Sequence, residues 1–140
     1  MNDVTDILKS EDVRKRYSLL SPEYRAAFEW RAKWLMTAHK HQIVPAGEWW
    51  AIWLLQAGRG AGKTRTAAEQ IGWWAWNEPK SRWLVAAPTS SDVRGTCFEG
   101  DSGLINVIPQ PLIRDYNKSL HELRLINGSF IKGIPASEPE

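Results

Sequence analysis

The sequence has few of the features that mark several common protein classes. Its 140 residues include one cysteine, Cys97, which excludes an internal disulfide and is expected to be a structural thiol in a reducing compartment. No apolar run reaches the roughly 18 residues that a membrane helix needs. Residues 1–4 lack the basic-then-apolar pattern of a secretory signal. The net charge of +2 is too small to indicate a nucleic-acid-binding protein by itself. These absences predict a globular domain with no membrane partner.

Tryptophan is unusually frequent. The chain has nine tryptophans, most of them in three clusters: Trp30/Trp34, Trp49/Trp50/Trp53 and Trp73/Trp74/Trp76. One interpretation is a platform on which nucleic-acid bases stack. Packing in a core or an interface is the favoured interpretation, because the clusters lie inside apolar segments with regular periodicity.

The first part of the chain is predicted to be helical. Residues 1–20 are charged and weakly patterned, which indicates a short helix or a loose arm. Ser21-Pro22-Glu23 predicts a helix start, because a capping serine, a proline in the first turn and an acidic residue occur together. The helix is expected to end near 39–42. Its apolar face comprises Tyr24, Ala27, Phe28, Trp34, Leu35 and Ala38.

A strand, a glycine-rich loop, a helix and a second strand are predicted next. The apolar run Ala51–Leu55 is typical of a strand buried on both faces in a parallel sheet. The helix after the loop ends at Asn77-Glu78-Pro79, and Trp83–Ala87 is the second buried strand. Together they predict one βαβ unit with a right-handed crossover. The apolar stripe of the helix comprises Ala67, Ala68, Ile71, Trp74 and Ala75.

The last third of the chain carries weaker signals. Ser90 or Ser91 is expected to cap a helix that runs to about Phe98, and 103–108 is expected to form a short helical turn. Asn127-Gly128 lies between two apolar segments, 123–126 and 130–134. This pattern strongly predicts a β-hairpin.

The glycine-rich loop resembles a phosphate-binding motif. The pattern G-x-x-x-x-G-K-[ST] runs from Ala57 to Thr64, with alanine in place of the first glycine. Glycines let backbone N–H groups surround a phosphate, and Lys63 supplies a positive charge. Thr64 offers a hydroxyl to Mg²⁺, and the helix that begins here adds its positive end. The predicted site comprises Ala57, Gly58, Arg59, Gly60, Ala61, Gly62, Lys63 and Thr64.

Two further side chains have open assignments. Arg59 is expected either to stabilise charge on the transferring phosphate, or to point to solvent or pair with an acid. Gln42 is either a reader of the adenine edge, since an amide donates and accepts, or a surface glutamine. The histidines show no metal-ligand spacing, so Mg²⁺ that arrives with ATP is the one metal expected.

An ATPase also needs an acid at the end of a second core strand, where the acid holds Mg²⁺. No apolar run in the sequence ends in Asp-Glu. Asp115 comes nearest, but Arg114 interrupts its run. The hydrolytic half of the site is therefore not found in this sequence.

Several segments together resemble the large terminase subunit of tailed bacteriophages. They are Pro45-x-Gly47-x-Trp49, Trp53–Arg65 with an arginine inside the loop, Ala86–Arg94, Glu99-Gly100-x-Ser102-Gly103-Leu104, Asn127-Gly128-Ser129 and Ser137–Glu140. The likeness runs from about Leu19 to the end of the chain. The arginine inside the loop makes it more specific than a general P-loop match.

The resemblance implies a fold, a function and partners. The expected fold is an α/β P-loop NTPase of the additional-strand type: a partial parallel sheet flanked by helices, with an N-terminal helix and a C-terminal hairpin. Residues 1–20 would be an arm, and 21–140 the N-terminal part of the ATPase domain, without its acidic strand and nuclease domain.

In that family, ATP hydrolysis drives double-stranded DNA into a procapsid in the cytoplasm of the bacterial host. The implied partners are DNA, the portal protein, the small terminase subunit and further copies in a ring. The resemblance assigns Lys63 and Thr64 to the phosphates and Mg²⁺, Arg59 to the outer phosphate and Gln42 to adenine. The competing interpretations are another P-loop phosphotransferase and a non-catalytic remnant that binds nucleotide or partner subunits.

Overall fold

The computed structural model of the chain describes residues 10–137. Its helices are α1 (Glu11–Ser18), α2 (Pro22–Thr37), α3 (Lys63–Asn77), α4 (Ser90–Asp92) and α5 (Leu104–Val107). Its strands are β1 (Arg82–Ala87), β2 (Ile113–Asn117), β3 (Glu122–Leu125) and β4 (Phe130–Pro135). A π-helical turn, Val93–Phe98, continues α4, and short 3-10 turns lie at Lys40–Gln42 and Gln110–Leu112. The chain therefore has an α/β fold, and within 10–137 no helix is long and apolar enough to cross a membrane.

The four strands form one mixed sheet in the order β1-β4-β3-β2. The β1–β4 pair is parallel, whereas β4–β3 and β3–β2 are antiparallel. The hairpin predicted around Asn127-Gly128 is confirmed, with Glu122 opposite Lys132 and Arg124 opposite Phe130. The prediction of a parallel sheet is correct for one strand pair of three.

The strand predicted at Ala51–Leu55 is wrong. The segment has no regular secondary structure and pairs with no strand of the sheet. Ile52 and Leu54 are 86% and 77% exposed, so the segment is not buried on both faces. The predicted βαβ unit is therefore absent from the described part of the chain. An apolar run identifies residues that avoid water, but a strand also needs a neighbouring edge to satisfy its backbone groups.

One face of the sheet is covered and the other is open. The core against the covered face is built from α3, α5, the π-helical turn and inward residues of the strands. Gly133 permits this contact, because a Cβ there would lie 2.5 Å from Val93 and 2.6 Å from Phe98. On the open face, Arg82 is exposed and Leu84 is 57% exposed. The prediction that Trp83–Ala87 is a strand is confirmed, but it is buried on one face rather than two.

The predicted start of α2 at Ser21-Pro22 is confirmed, whereas its end comes before the predicted 39–42. Ser21 caps α2 by accepting a hydrogen bond from the Tyr24 amide at 3.4 Å, and the helix ends at Thr37. The cap of α4 is Thr89, whose hydroxyl accepts from the Asp92 amide at 3.1 Å, rather than Ser90 or Ser91. The predicted turn at 103–108 is confirmed as α5.

The predicted apolar face of α2 is only partly correct. The buried residues are Ala27, Trp30, Ala32 and Trp34, whereas Tyr24 and Leu35 are 59% and 50% exposed. The N-terminal arm contains α1 within the described residues, and its Tyr17 hydroxyl donates to Glu29 of α2. Burial of Trp30 and Trp34 agrees with packing as the role of that tryptophan pair, while Trp49 is 79% exposed.

The hairpin turn between β3 and β4 holds the C-terminal end of α3. The Asn127 amide nitrogen donates to the carbonyl oxygens of Ala75 at 2.9 Å and Trp76 at 2.7 Å. The Ser129 hydroxyl donates to the carbonyl of Glu78 at 2.7 Å. These bonds satisfy carbonyl groups that the end of a helix leaves without partners.

Candidate functional site

The predicted phosphate loop leads directly into α3. Gly60 and Gly62 have φ angles of 83° and 78°, in the left-handed region that favours glycine. The Ala61 amide donates to the Gly58 carbonyl at 3.3 Å, which tightens the turn. Because α3 begins at Lys63, its first N–H groups lack helical partners and face the turn. N–H groups at the start of a helix can bind an anion, which makes this loop the candidate site.

The loop borders an open cleft of about 550 Å³. Its lining residues are Arg59, Gly60, Ala61, Gly62, Lys63, Thr64, Arg65 and Ser102. Three of them are cations and none carries a carboxylate. Within residues 10–137, the Arg59 guanidinium has no hydrogen bond or ion pair, so its charge remains available to the cleft. The cleft suits a polyanion such as a nucleotide phosphate chain.

Lys63 lies across the start of the loop. Its ammonium donates to the carbonyl oxygen of Ala57 and, at 3.4 Å, to that of Gly58. An ammonium has three donors, so it can approach a phosphate while it keeps a bond to the loop. The contact fixes the charge at the mouth of the cleft.

Gln42 lies behind the loop and is 7% exposed. Its amide nitrogen donates to the Thr66 hydroxyl at 3.0 Å and to the Gly62 carbonyl at 3.4 Å, while its oxygen accepts from the His39 amide at 2.8 Å. Both of its N–H groups therefore have protein partners. The assignment of Gln42 to the adenine edge stays a prediction, and these contacts give it a second role as a brace of the loop.

Glu69 is a buried carboxylate that the sequence analysis did not identify. It is 1% exposed and accepts hydrogen bonds from the Trp30 indole at 2.6 Å and from Arg65 at 2.9 Å. Burial raises the pKa of Glu69, while Arg65 and Trp30 act in the opposite direction. The ion pair with Glu69 holds the Arg65 side chain at the side of the cleft. The sequence shows an arginine and a glutamate four residues apart on a predicted helix. Such pairs usually lie on the helix surface, so the spacing alone does not predict a buried carboxylate.

Ser102 is the one cleft residue that comes from outside the loop and the start of α3. Its segment is packed closely, because a Cβ at Gly100 or Gly103 would lie 2.5 Å from the carbonyl oxygen of Gly95 or Phe98, respectively. The Asn106 amide donates to the Gly100 carbonyl at 2.8 Å. The run 99–104 belonged to the resemblance, but no local motif gave Ser102 a chemical role.

Thr64 is the cleft residue that could offer a hydroxyl oxygen to Mg²⁺. Thr64 is exposed and lines the cleft. Mg²⁺ in nucleotide sites keeps several waters and takes other ligands from phosphates and one or two carboxylates, so Thr64 would supply only one of its protein ligands. Among the described residues, no group of three His, Cys, Asp or Glu side chains is arranged to hold a metal alone. Asp115 lies on β2 and is not part of the cleft lining.

The two histidines near Gln42 and the cysteine do not line the cleft. His39 and His41 stack in parallel with ring centres 5.7 Å apart. Cys97 is half-buried, and burial raises the pKa of its thiol, which agrees with the expected structural role.

Comparisons of the chain with family models, with curated proteins and with solved structures found no match in any of the three.

Proposed function

We propose that the chain binds ATP with Mg²⁺ at Ala57–Thr64 and forms the ATP-binding part of a viral DNA-packaging motor, the large terminase subunit. The observation that supports ATP binding best is the glycine loop, which opens at the start of α3 beside a cationic cleft. The motor assignment rests on the sequence resemblance. It brings with it double-stranded DNA, a portal protein, a small terminase subunit, a ring of copies and the cytoplasm of a bacterial host.

Each loop residue has a defined task in this proposal. Backbone N–H groups of 58–64 surround the phosphates, and Lys63 neutralises the outer ones. Arg59, which has no protein partner among residues 10–137, reaches the transferring phosphate. Thr64 holds Mg²⁺, which neutralises phosphate charge when bound. Gln42 keeps Gly62 and Thr66 in place.

The test is a titration of purified chain with a fluorescent ATP analogue in the presence of Mg²⁺. Lys63→Ala is expected to weaken binding at least roughly thirtyfold, the equivalent of about 2 kcal/mol for one lost charge contact. The matched control is Lys33→Ala, because Lys33 is an exposed lysine of α2 outside the cleft. Equal affinities for Lys63→Ala and the control would refute the phosphate site.

A nucleotide-binding remnant without turnover is the second candidate. It is favoured by the absence of a carboxylate from the residues that line the cleft. Phosphate release by the 140-residue chain is therefore expected to stay near background, since neither Mg²⁺ nor water has an acidic partner there. Turnover that disappears in Lys63→Ala would contradict this expectation and favour a catalytically complete chain.

A further inference from the structure

A second basic concavity lies beyond the C-terminal end of α3. The glycine-rich loop lies at the opposite, N-terminal end of the same helix. It has a volume of about 380 Å³. Its lining residues are Lys80, Arg82, Arg114, Arg124, Leu125, Gly128, Ser129 and Phe130. Four of these are cations and none is acidic, in a chain whose net charge is only +2. These four positive charges exceed the net charge of the whole chain, so positive charge is concentrated here.

These cations have almost no ionic partners. Within residues 10–137, Lys80, Arg82 and Arg114 make no salt bridge, and Arg124 approaches Glu122 at 3.8 Å. Asp115 is opposite Arg124 in the strand register but forms no ion pair with it. All four side chains are exposed, so water and salt screen much of their mutual repulsion, but the positive potential that they create together attracts anions.

Two backbone irregularities place cations at this cavity. Lys80 has φ 61°, a left-handed conformation that is uncommon outside glycine. The β2–β3 register shifts between Ile113 and Asp115, so Arg114 occupies a bulge. Bulges redirect side chains and, like left-handed non-glycine residues, concentrate at functional sites. Each irregularity contributes a cation to the same concavity.

The surrounding frame is fixed. The Lys80 amide donates to the Asn127 carbonyl at 3.3 Å, and a Cβ at Gly128 would lie 3.1 Å from the Lys80 side chain. Arg82, Phe130 and Arg124 are neighbours in one row across the sheet, which places them on the same face. The Arg124 guanidinium lies 5.5 Å from the centre of the Phe130 ring. Cations beside an aromatic ring are typical of sites for phosphate backbones and bases.

We propose that this cavity binds the phosphate groups of a polyanion, either a nucleic-acid strand or a free polyphosphate. Guanidinium groups match phosphate oxygens in pairs, and the cavity offers three of them with one lysine. The inference extends the proposed function by locating a second phosphate site. It rests on residues that the ATP site does not use.

The experiment measures binding of a fluorescein-labelled 20-nucleotide single strand and a 20-base-pair duplex by anisotropy across salt concentrations. The variant is Arg82→Gln with Arg114→Gln, because neither side chain has a protein partner to lose. Its matched control is Lys33→Gln with Lys118→Gln, which removes the same charge from exposed residues outside the cavity. For the duplex, the logarithmic salt slope is expected to fall by about 1.8 in the site variant and to stay unchanged in the control.

A second arm tests free polyphosphate. Sodium tripolyphosphate is titrated by calorimetry into Lys63→Ala protein, which disables the phosphate loop, with and without the Arg82 and Arg114 changes. Tripolyphosphate binding that these changes remove, without oligonucleotide binding, assigns the cavity to free polyphosphate. A lowered salt slope assigns it to a nucleic-acid strand.

The proposal is overturned if no probe binds at about 50 mM salt, where contacts with a phosphate backbone are strong. It is also overturned if the site variant and the control lose the same amount of binding. Probe binding that neither variant weakens would overturn it as well. Failure of the ATP site is distinguishable. Lys63→Ala should leave the salt slope unchanged, and the Arg82 and Arg114 changes should leave ATP affinity unchanged.

Discussion

Three glycines of the phosphate loop allow the cost of backbone conformation to be separated from the cost of a steric clash. Gly58 has no left-handed φ and nothing within 4 Å of its missing Cβ. Gly60 has φ 83° and the same open space. Gly62 has φ 78°, and a Cβ there would lie 2.6 Å from the Gln42 amide nitrogen. Substituting each with alanine therefore adds one effect at a time.

The expected changes in the free energy of unfolding follow from these contacts. Gly58→Ala should be neutral or stabilising by up to about 1 kcal/mol, because it reduces the entropy of the unfolded chain. Gly60→Ala should destabilise by about 1–2 kcal/mol, the cost of a left-handed L-residue. Gly62→Ala adds the disruption of two Gln42 hydrogen bonds, at about 0.5–1.5 kcal/mol each. Its total is therefore about 2–5 kcal/mol.

Urea unfolding followed by tryptophan fluorescence measures all three variants. A fourth protein, Gly62→Ala with Gln42→Ala, tests the origin of the clash. It should be less destabilised than the sum of its single changes by about 1–2 kcal/mol, because the shortened side chain makes room for the new methyl group. Equal stabilities of the Gly58 and Gly60 variants would refute the left-handed turn. Strict additivity of the Gly62 and Gln42 changes would refute the brace.

Other features give sharper tests of single side chains. Glu69→Gln keeps an acceptor for Trp30 and should cost less than Glu69→Ala, which leaves the buried indole N–H unsatisfied and should lose about 1–3 kcal/mol in urea unfolding. Because burial raises the pKa of Glu69, the stability that this carboxyl contributes is greatest below its unfolded pKa. Wild type should therefore lose stability relative to Glu69→Gln as pH rises above the unfolded pKa of about 4, and the reverse trend would contradict the assigned cause. Asn127→Ala leaves two carbonyl groups at the end of α3 without donors and should cost about 1–3 kcal/mol by the same assay, and a loss below about 0.5 kcal/mol would exclude the tether. If Ser102 contacts the outer phosphate, Ser102→Ala should weaken ATP more than ADP in nucleotide titrations, with Ser119→Ala as the exposed control, and equal losses for both nucleotides would place it elsewhere.

The parts of the fold that were predicted from sequence depend on neighbouring residues. Ser21-Pro22 determines a helix start through its own hydroxyl and fixed φ angle. Asn127-Gly128 determines a tight turn because Gly128, with φ 88°, tolerates a left-handed backbone. These signals act within a few residues, so they predict local structure correctly without knowledge of the rest of the chain.

The parts that were missed depend on distant contacts. Ala51–Leu55 has the composition of a buried strand, but pairing depends on an edge that no nearby residue supplies. Ser102 reaches the cleft because glycines at 100 and 103 pack closely against backbone carbonyls of the preceding turn. Glu69 is buried because Trp30, 39 residues earlier, covers it. None of these contacts between distant residues produces a regular spacing in the sequence, so no sequence pattern predicts them.

The tether between Asn127 and the end of α3 gives that helix a mechanical character. The helix is 15 residues long, so at about 1.5 Å per residue it is a rod of about 22 Å. Its first turn continues the glycine-rich loop. Its last carbonyl groups accept hydrogen bonds from Asn127, whose own carbonyl accepts from the Lys80 amide. A hydrogen-bonded helix hardly changes length, so the distance between these two ends is fixed by the helix itself. The two basic concavities are thus attached to opposite ends of one stiff element.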